Sequence, residues 1–217
     1  MARSKIEWLR NPVDGSLGYS INPVKGICPM HCKDNQGKEY CYSAKPNGLY
    51  KRFKWNPEIR FDLTIEVPKK PSRIFVGSTM ELFGDWIQPN WLKLIFQACQ
   101  DFPEHTYIFL TKCPENLLPW SPFPPNTWVG VTATDAIMAF DAVNYLRDIK
   151  AKVKFISFEP LLESVAGPRL NLSGVNWVII GAQTQPYKPP KLEWIEEIAE
   201  ACNRAGIPYF LKDNLAK

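Results

Sequence analysis

The sequence predicts an α/β fold, because short apolar runs alternate along it with longer stretches of helical periodicity. The runs are nearly continuous in β-branched and aromatic residues, which is typical of strands buried on both faces of a parallel sheet. Strands that alternate with helices in this way form right-handed βα units. Six such runs follow one another, at Arg73–Ser78, Thr106–Thr111, Thr127–Thr132, Val153–Phe158, Asn176–Gly181 and Pro208–Lys212.

Three stretches between these runs carry apolar residues at the spacing of an amphipathic helix. They extend from Trp91 to Cys99, from Ile137 to Ile149 and from Leu192 to Cys202. Gly206 and Pro208 form a helix stop after the third stretch. A further strand is expected at Gly18–Asn22. Six or seven βα units are too few for a complete eight-fold barrel, so a partial barrel and a doubly wound sheet both remain possible.

Composition limits the class of protein. The chain has 217 residues, which is the length of one domain, and we expect residues 1–217 to form a single domain. The net charge of +4 permits an anionic partner such as a nucleic acid without requiring one. There is no apolar run long enough to span a membrane and no secretory signal, so we expect a cytoplasmic protein without a membrane partner.

Polar or ionisable side chains follow every predicted strand. In this architecture the functional site gathers at the carboxyl ends of the strands, so a polar pocket is expected there. A single residue of this kind, such as Asp135, would be explained by capping the next helix, but the repetition at every strand favours a pocket. The residues are Ser78, Thr79, Glu81, Thr111, Lys112, Thr132, Thr134, Asp135, Ser157, Glu159, Gln183, Lys212 and Asn214.

Three of the six cysteines, Cys28, Cys32 and Cys41, lie close together in a loop that we call the cysteine loop (residues 26–43). Cytosolic cysteines are seldom paired as disulfides, so such a group indicates a metal or catalysis. The thiolates could hold zinc with a fourth ligand such as His31, although adjacent residues rarely reach one ion. They could instead hold an iron–sulfur cluster that keeps one iron open. Three unligated thiols, or a redox pair with a bystander, are the other interpretations.

Short sequence blocks add a resemblance that runs nearly from end to end. The blocks are KIEW (Lys5–Trp8), NPVKGIC (Asn22–Cys28), CYS (Cys41–Ser43), WNPEIR (Trp55–Arg60), RIFVGSTMELFGDW (Arg73–Trp86), LTKCPENL (Leu110–Leu117), WVGVT (Trp128–Thr132), SFEPLL (Ser157–Leu162), WVIIGAQT (Trp177–Thr184) and PYFLKDNL (Pro208–Leu215). In their order and spacing the chain resembles the phage Gp37/Gp68-type family, a compact three-cysteine branch similar to radical S-adenosylmethionine (SAM) enzymes.

The resemblance implies a partial (β/α)6 TIM-like barrel with a [4Fe–4S] cluster on Cys28, Cys32 and Cys41. The open iron would chelate SAM, and an electron from a ferredoxin- or flavodoxin-type donor would cleave SAM reductively. The products would be methionine and a 5′-deoxyadenosyl radical that abstracts hydrogen from a substrate, with a nucleic acid or a partner-bound molecule as the candidates. The chain departs from the common Cys-x3-Cys-x2-Cys spacing, since eight residues separate Cys32 from Cys41, but Tyr40 keeps the aromatic residue before the last cysteine.

The same resemblance implies where SAM would bind. Ser78, Thr79 and Glu81 follow the second strand, where such enzymes hold the methionyl amino group. The ribose and adenine would meet the ends of later strands, with these candidates: Thr132, Asp135, Ser157, Glu159 and Gln183.

Lys112 and Cys113 are the candidates for a direct role in the reaction. Cys113 could return a hydrogen atom to a substrate radical, or else be a semi-buried thiol beside a proline turn. Lys112 could meet a carboxylate or phosphate, or else pair with Glu115 or Glu159.

The alternative function is a zinc-stabilised module that binds single-stranded nucleic acid without catalysis. It depends on the net positive charge and on the segment Tyr50–Trp55, where basic and aromatic residues interleave. The same pattern describes an amphipathic surface segment with buried rings.

Overall fold

The computed structural model describes residues 1–34, 36–41, 57–62, 67–165 and 170–216. Their strands, in chain order, are β1 (Ala2–Arg3), β2 (Tyr19–Ile21), β3 (Val24–Lys25), β4 (Arg60–Phe61), β5 (Arg73–Val76), β6 (Thr106–Thr111), β7 (Thr127–Thr132), β8 (Val153–Phe158), β9 (Trp177–Ile180), β10 (Gln183–Thr184), β11 (Tyr187–Lys188) and β12 (Tyr209–Leu211). The segment Tyr50–Trp55 lies outside these residues.

Eight of the strands form one mainly parallel sheet, in the order β1-β2-β5-β6-β7-β8-β9-β12. All neighbouring pairs are parallel except β1 with β2 at one edge. Two small antiparallel pairs, β3 with β4 and β10 with β11, lie outside this sheet. In the described part of the chain nothing pairs β12 with β1 or β2, so the sheet is open and no closed barrel is formed.

Three α-helices connect strands of the sheet in the described residues: α1 (Pro89–Asp101), α2 (Ala136–Asp148) and α3 (Leu192–Ala205). Proline begins α1, where its missing N–H costs nothing. The α3 helix ends at Gly206, whose φ of +67° is the left-handed conformation that glycine adopts most easily. Between β6 and β7 there are two 3-10 turns instead of a helix. None of the helices described is both long and apolar enough to cross a membrane.

The predicted α/β fold is confirmed in its main elements. All seven expected strands and all three expected helices are present, with ends within a few residues of those predicted. The sequence missed β1, β3, β4, β10 and β11, because a strand of two residues is too short to show a period of two.

Each face of the sheet has its own apolar core, which explains the continuous apolar runs of the strands. Alternate strand residues such as Val76, Phe109 and Val131 pack beneath the three helices. The residues between them, including Phe75 and Phe155, pack against Trp8 of the 3-10 turn Glu7–Leu9. The Trp8 and Phe75 rings meet edge to face, with centroids 5.3 Å apart. We call the face covered by Trp8 the inner face.

Candidate functional site

The cysteine loop begins directly after β3, and its described residues reach the carboxyl ends of three neighbouring strands. Near β5, the Cys28 Sγ accepts a hydrogen bond from the Glu81 N–H at 3.4 Å. After β6, the Cys113 Sγ lies 3.9 Å from the Met30 Sδ. After β7, the Tyr40 side chain forms a hydrogen bond with Thr134. The loop is therefore held at the edge of the sheet where the pocket was expected.

Cys32 and Cys41 are in direct contact through a hydrogen bond between their side chains. This bond, together with burial, raises the pKa of Cys32 far above that of an ordinary thiol, while the nearby Lys112 ammonium acts in the opposite direction. Burial also raises the pKa of Cys28, partly offset by the N–H that it accepts from Glu81. Because thiolates are the form that binds metals, a bound cation would displace these protons.

The three sulfur atoms suit an iron–sulfur cluster in chemistry and position, but they are not yet gathered around one point. In the described ranges no three His, Cys, Asp or Glu side chains are already arranged to hold a metal ion. Cys32 contacts Cys41, whereas Cys28 lies against the backbone of Glu81. Soft thiolates that also accept backbone N–H groups are the usual ligands of such clusters. Ligation by all three cysteines would require the loop to close further.

Glu81 is nearly buried, and its carboxylate joins the segment after β5 to the end of β6. Its Oε1 accepts the Thr111 hydroxyl at 2.7 Å and the Phe83 N–H at 3.0 Å. Its Oε2 accepts the Lys112 N–H at 2.8 Å. This carboxylate therefore has a structural role that the sequence did not predict. It fixes the backbone whose N–H contacts Cys28.

Asn22, at the end of β2, holds the other two residues expected near the methionyl group. Its Oδ1 accepts the Ser78 hydroxyl at 3.2 Å and the Thr79 N–H at 3.0 Å. The Thr79 hydroxyl is buried and has no hydrogen-bond partner among the described residues. Asn22 stands in the NPVKGIC block, but nothing in its pattern indicated this contact.

Lys112 and Thr132 meet on the cysteine-loop side of the sheet. The Lys112 Nζ lies 3.4 Å from the Thr132 Oγ1, so Lys112 pairs with Thr132 rather than with Glu115 or Glu159. Both line a cavity of about 200 Å³ between the ends of β6 and β7 and the side of α2. Asp135 instead caps α2, accepting the Met138 N–H at 2.8 Å, as the simpler interpretation of that residue predicted.

Glu159 and Lys212 form an ion pair at the other half of the same edge, after β8 and β12. The pair crosses over β9 at Gly181, where an added Cβ would lie 2.9 Å from the Lys212 Cδ and 3.2 Å from the Glu159 carboxyl carbon. Lys212 was noted at its strand end but not as a partner of Glu159. The pairing depends on a glycine at the end of β9, the strand between the two partners, and sequence spacing does not reveal this neighbour.

At this half of the edge, two buried polar side chains have an atom without a hydrogen-bond partner among the described residues. Ser157 is 1% exposed, and its hydroxyl makes no hydrogen bond within the described ranges. Gln183 donates its Nε2 to the Pro186 carbonyl at 2.8 Å, but its Oε1 is also buried and unpartnered there. Leaving such groups unsatisfied costs about 1–3 kcal/mol each, which makes them candidates for ligand contacts.

Cys113 is buried beneath the cysteine loop, where its Sγ lies against the Met30 Sδ. Burial raises the pKa of its thiol to about 12. Its N–H donates to the Thr111 Oγ1 at 2.9 Å. The thiol is therefore buried beside the Pro114 turn, and its role in returning a hydrogen atom to a substrate radical stays a prediction.

The predicted site residues therefore fall into two groups at one edge of the sheet. The first contains the three loop cysteines with Ser78, Thr79, Glu81, Lys112, Cys113 and Thr132. The second contains Ser157, Glu159 and Gln183 with Lys212. Asn214 supports the second group, because its side chain makes hydrogen bonds to both the N–H and the carbonyl of Ala182.

Comparison with known proteins gives one result. A family model described as "Protein of unknown function (DUF5131)" matches residues 3–215. No curated protein and no solved structure matches the chain. The family match covers nearly the whole sequence and says nothing about activity, so the resemblance to radical SAM enzymes stays a prediction. The chain belongs to the DUF5131 family.

Proposed function

We propose that this protein is a radical SAM enzyme that cleaves SAM reductively at a [4Fe–4S] cluster on Cys28, Cys32 and Cys41. The observation that carries the proposal is the position of these thiols. They come from one loop and lie at the carboxyl ends of parallel strands, where α/β enzymes place their active sites. A cluster held by three cysteines leaves one iron open for a ligand.

The sheet supports the finer proposal of a partial (β/α)6 barrel. The strands β2, β5, β6, β7, β8 and β9 are adjacent in chain order and parallel, as successive strands of such a barrel are. The helices pack on one face, and Trp8 packs on the inner face near the amino ends of the strands. This arrangement leaves the inner face near the carboxyl ends to polar residues such as Thr132 and Ser157.

The residues around the thiols have separate tasks in this proposal. When bound, the cluster supplies the electron that splits the SAM sulfonium and so generates the radical that abstracts hydrogen from the substrate. Glu81 orders the backbone that donates a hydrogen bond to Cys28, and such bonds to sulfur tune the potential of a cluster. Ser157 and Gln183 offer the unsatisfied groups that a ribose and an adenine ring can bond.

The proposed electron donor is a ferredoxin- or flavodoxin-type protein. The proposed substrate is a nucleic acid or a molecule presented by a partner.

The direct test is the release of 5′-deoxyadenosine. The protein is reconstituted with iron and sulfide under anaerobic conditions, and SAM and dithionite are then added. We expect 5′-deoxyadenosine from the wild type and none from Cys28→Ala, Cys32→Ala or Cys41→Ala. The matched control is Cys99→Ala, a buried thiol on α1 that should keep the activity. Unchanged turnover in the three loop variants would overturn the mechanism.

The zinc-stabilised nucleic-acid module is a second outcome of the same preparation. It would appear as one zinc per chain, no broad visible absorption and salt-dependent binding to single strands. A brown preparation with about four irons per chain and no such binding would exclude it.

A further inference from the structure

A second cavity in the described part of the chain lies at the end of the sheet opposite the cysteine loop. It encloses about 550 Å³, within the range of small-molecule sites. Its lining includes Arg73, Trp128 and Trp177, which stand at or next to the first residues of β5, β7 and β9. Four rises of about 3.3 Å separate Trp128 from Thr132 along β7, so the Trp128 part of this cavity is about 13 Å from the carboxyl end of that strand. We call it the amino-end cavity.

Aromatic side chains form much of the wall of the amino-end cavity. Trp8, Trp128, Trp177 and Phe210 all line it. The Trp128 and Trp177 rings meet at 74° with centroids 5.8 Å apart, and Trp8 and Trp177 meet at 73° with centroids 6.1 Å apart. Edge-to-face packing of this kind holds the rings in fixed orientations. Trp8 is 4% exposed, so the half-buried Trp128, Trp177 and Phe210 rings supply the apolar wall that a ligand could reach.

Arg73 brings a positive charge to this wall, and no carboxylate among the described residues forms an ion pair with it. Its guanidinium carbon lies 4.8 Å from the centre of the Trp128 ring. One of its nitrogens is 3.3 Å from the carbonyl oxygens of Trp8 and Arg10. Arg73 forms no ion pair in the described part of the chain, and burial alone lowers its pKa. A half-buried charge without a counterion is unfavourable, and an anion would relieve the cost.

The two carboxylates that also line the cavity do not serve as that counterion. Glu7 accepts the Asp213 N–H at 3.0 Å, which ties its carboxylate to the C-terminal 3-10 turn. Neither Glu7 nor Asp213 contributes to the pKa of Arg73. The cavity is therefore lined by aromatic side chains, by Arg10 and by the Arg73 guanidinium, which forms no ion pair with either of the acidic groups that share the lining.

We propose that the amino-end cavity is a second ligand site, separate from the cysteine loop, and that it binds a planar aromatic anion of the size of a mononucleotide. The ring stacks on the tryptophan wall, and the anionic group pairs with Arg73. The guanidinium is suited to this, because its planar fork bonds phosphate or carboxylate through two N–H groups while its face stays on a ring. The proposal does not depend on the radical SAM function.

Three probes separate the ring from the charge: AMP carries both, adenosine carries the ring alone, and inorganic phosphate carries the charge alone. Binding is measured by titration calorimetry and by quenching of tryptophan fluorescence on the full chain. We expect AMP to bind at least tenfold more tightly than either adenosine or phosphate. Failure of AMP to bind the wild type, or equal binding of AMP and adenosine, would overturn the proposal without touching the cysteine-loop function.

Variants then locate the site. Arg73→Gln should weaken the binding of AMP at least tenfold and leave the binding of adenosine unchanged. Arg73→Lys should keep part of the affinity for AMP that Arg73→Gln loses. The matched control is Arg204→Gln, on the exposed end of α3, which should bind AMP as the wild type does. If Arg73→Gln fails to fold because it loses the hydrogen bonds to the Trp8 and Arg10 carbonyls, Trp128→Leu is used in its place. Trp128→Leu should weaken the binding of AMP and of adenosine by the same factor. Wild-type AMP affinity in a folded variant of either residue would contradict the assignment.

Discussion

The replacement Glu81→Gln tests how the segment after β5 is held beneath the cysteine loop. The amide keeps one oxygen for Thr111 and Phe83 but places an NH₂ group opposite the Lys112 N–H, which then has no acceptor. One buried unsatisfied N–H costs about 1–3 kcal/mol. Loss of the negative charge also weakens the other two hydrogen bonds by roughly 1 kcal/mol altogether. We therefore expect the free energy of unfolding to fall by about 3 kcal/mol.

Urea denaturation of the reduced protein, monitored by tryptophan fluorescence, measures this change in the free energy of unfolding. In a domain of this length, about 3 kcal/mol corresponds to a melting temperature lower by about 6–12 °C. The matched control is Glu196→Gln on the exposed surface of α3, which should change stability by less than about 0.5 kcal/mol. A loss below about 1 kcal/mol in Glu81→Gln would refute the claim that its carboxylate holds three donors in solution.

Three further predictions concern an ion pair, a glycine of the sheet and a buried thiol of α3. Lys212→Met leaves the Glu159 carboxylate without its partner and should lower the free energy of unfolding, measured by urea denaturation, by about 2 kcal/mol. Adding Glu159→Leu to this variant should recover most of the loss, and losses that simply add would contradict the pairing. Gly130→Ala places a methyl group where the Phe155 ring lies and should lower the free energy of unfolding by about 1–3 kcal/mol. Adding Phe155→Leu should recover much of this loss. An unchanged stability of Gly130→Ala would contradict the packing. Burial raises the pKa of Cys202 from 9.0 to about 11. Its alkylation at pH 8, followed by mass spectrometry, should therefore be about a hundredfold slower than in the unfolded chain. Equal alkylation rates would contradict the burial.

The last of these predictions has a consequence for stability. Because the folded-state pKa of Cys202 exceeds that of the unfolded state, its contribution to stability is complete below pH 9. It is lost progressively between pH 9 and 11, by up to about 1.4 kcal/mol per pH unit. The Cys202→Ala variant should show a correspondingly weaker loss of stability over that range.

The main elements of the fold could be predicted because the signals that define them are local. A run such as Val153–Phe158 is apolar on both faces, and this follows from burial beneath the helices on one side and against Trp8 on the other. The stop of α3 at Gly206 likewise depends on one residue's conformational freedom. The packing of the Glu7–Leu9 turn on the inner face was not predictable, because it joins the start of the chain to strands far along it.

The candidate site was predictable in its location but not in its contacts. Polar residues at strand ends meet at one edge because parallel strands all end there. Which of them pair depends on register and on small residues between them, as Gly181 shows for Glu159 and Lys212. Likewise, the three donors that surround Glu81 come from two different segments, and two of them are backbone groups that carry no side-chain signature.

The measurement that tests the central claim most directly is the iron content and spectrum of the anaerobically reconstituted protein, with and without SAM. The proposal predicts about four irons per chain, a broad absorption band that dithionite bleaches, and an electron paramagnetic resonance signal of the reduced cluster that changes when SAM is added. Cys28→Ala, Cys32→Ala and Cys41→Ala should lose the iron, whereas Cys99→Ala should keep it. Iron retained in all three loop variants, or a reduced signal indifferent to SAM, would contradict the proposal that these cysteines hold a SAM-binding cluster.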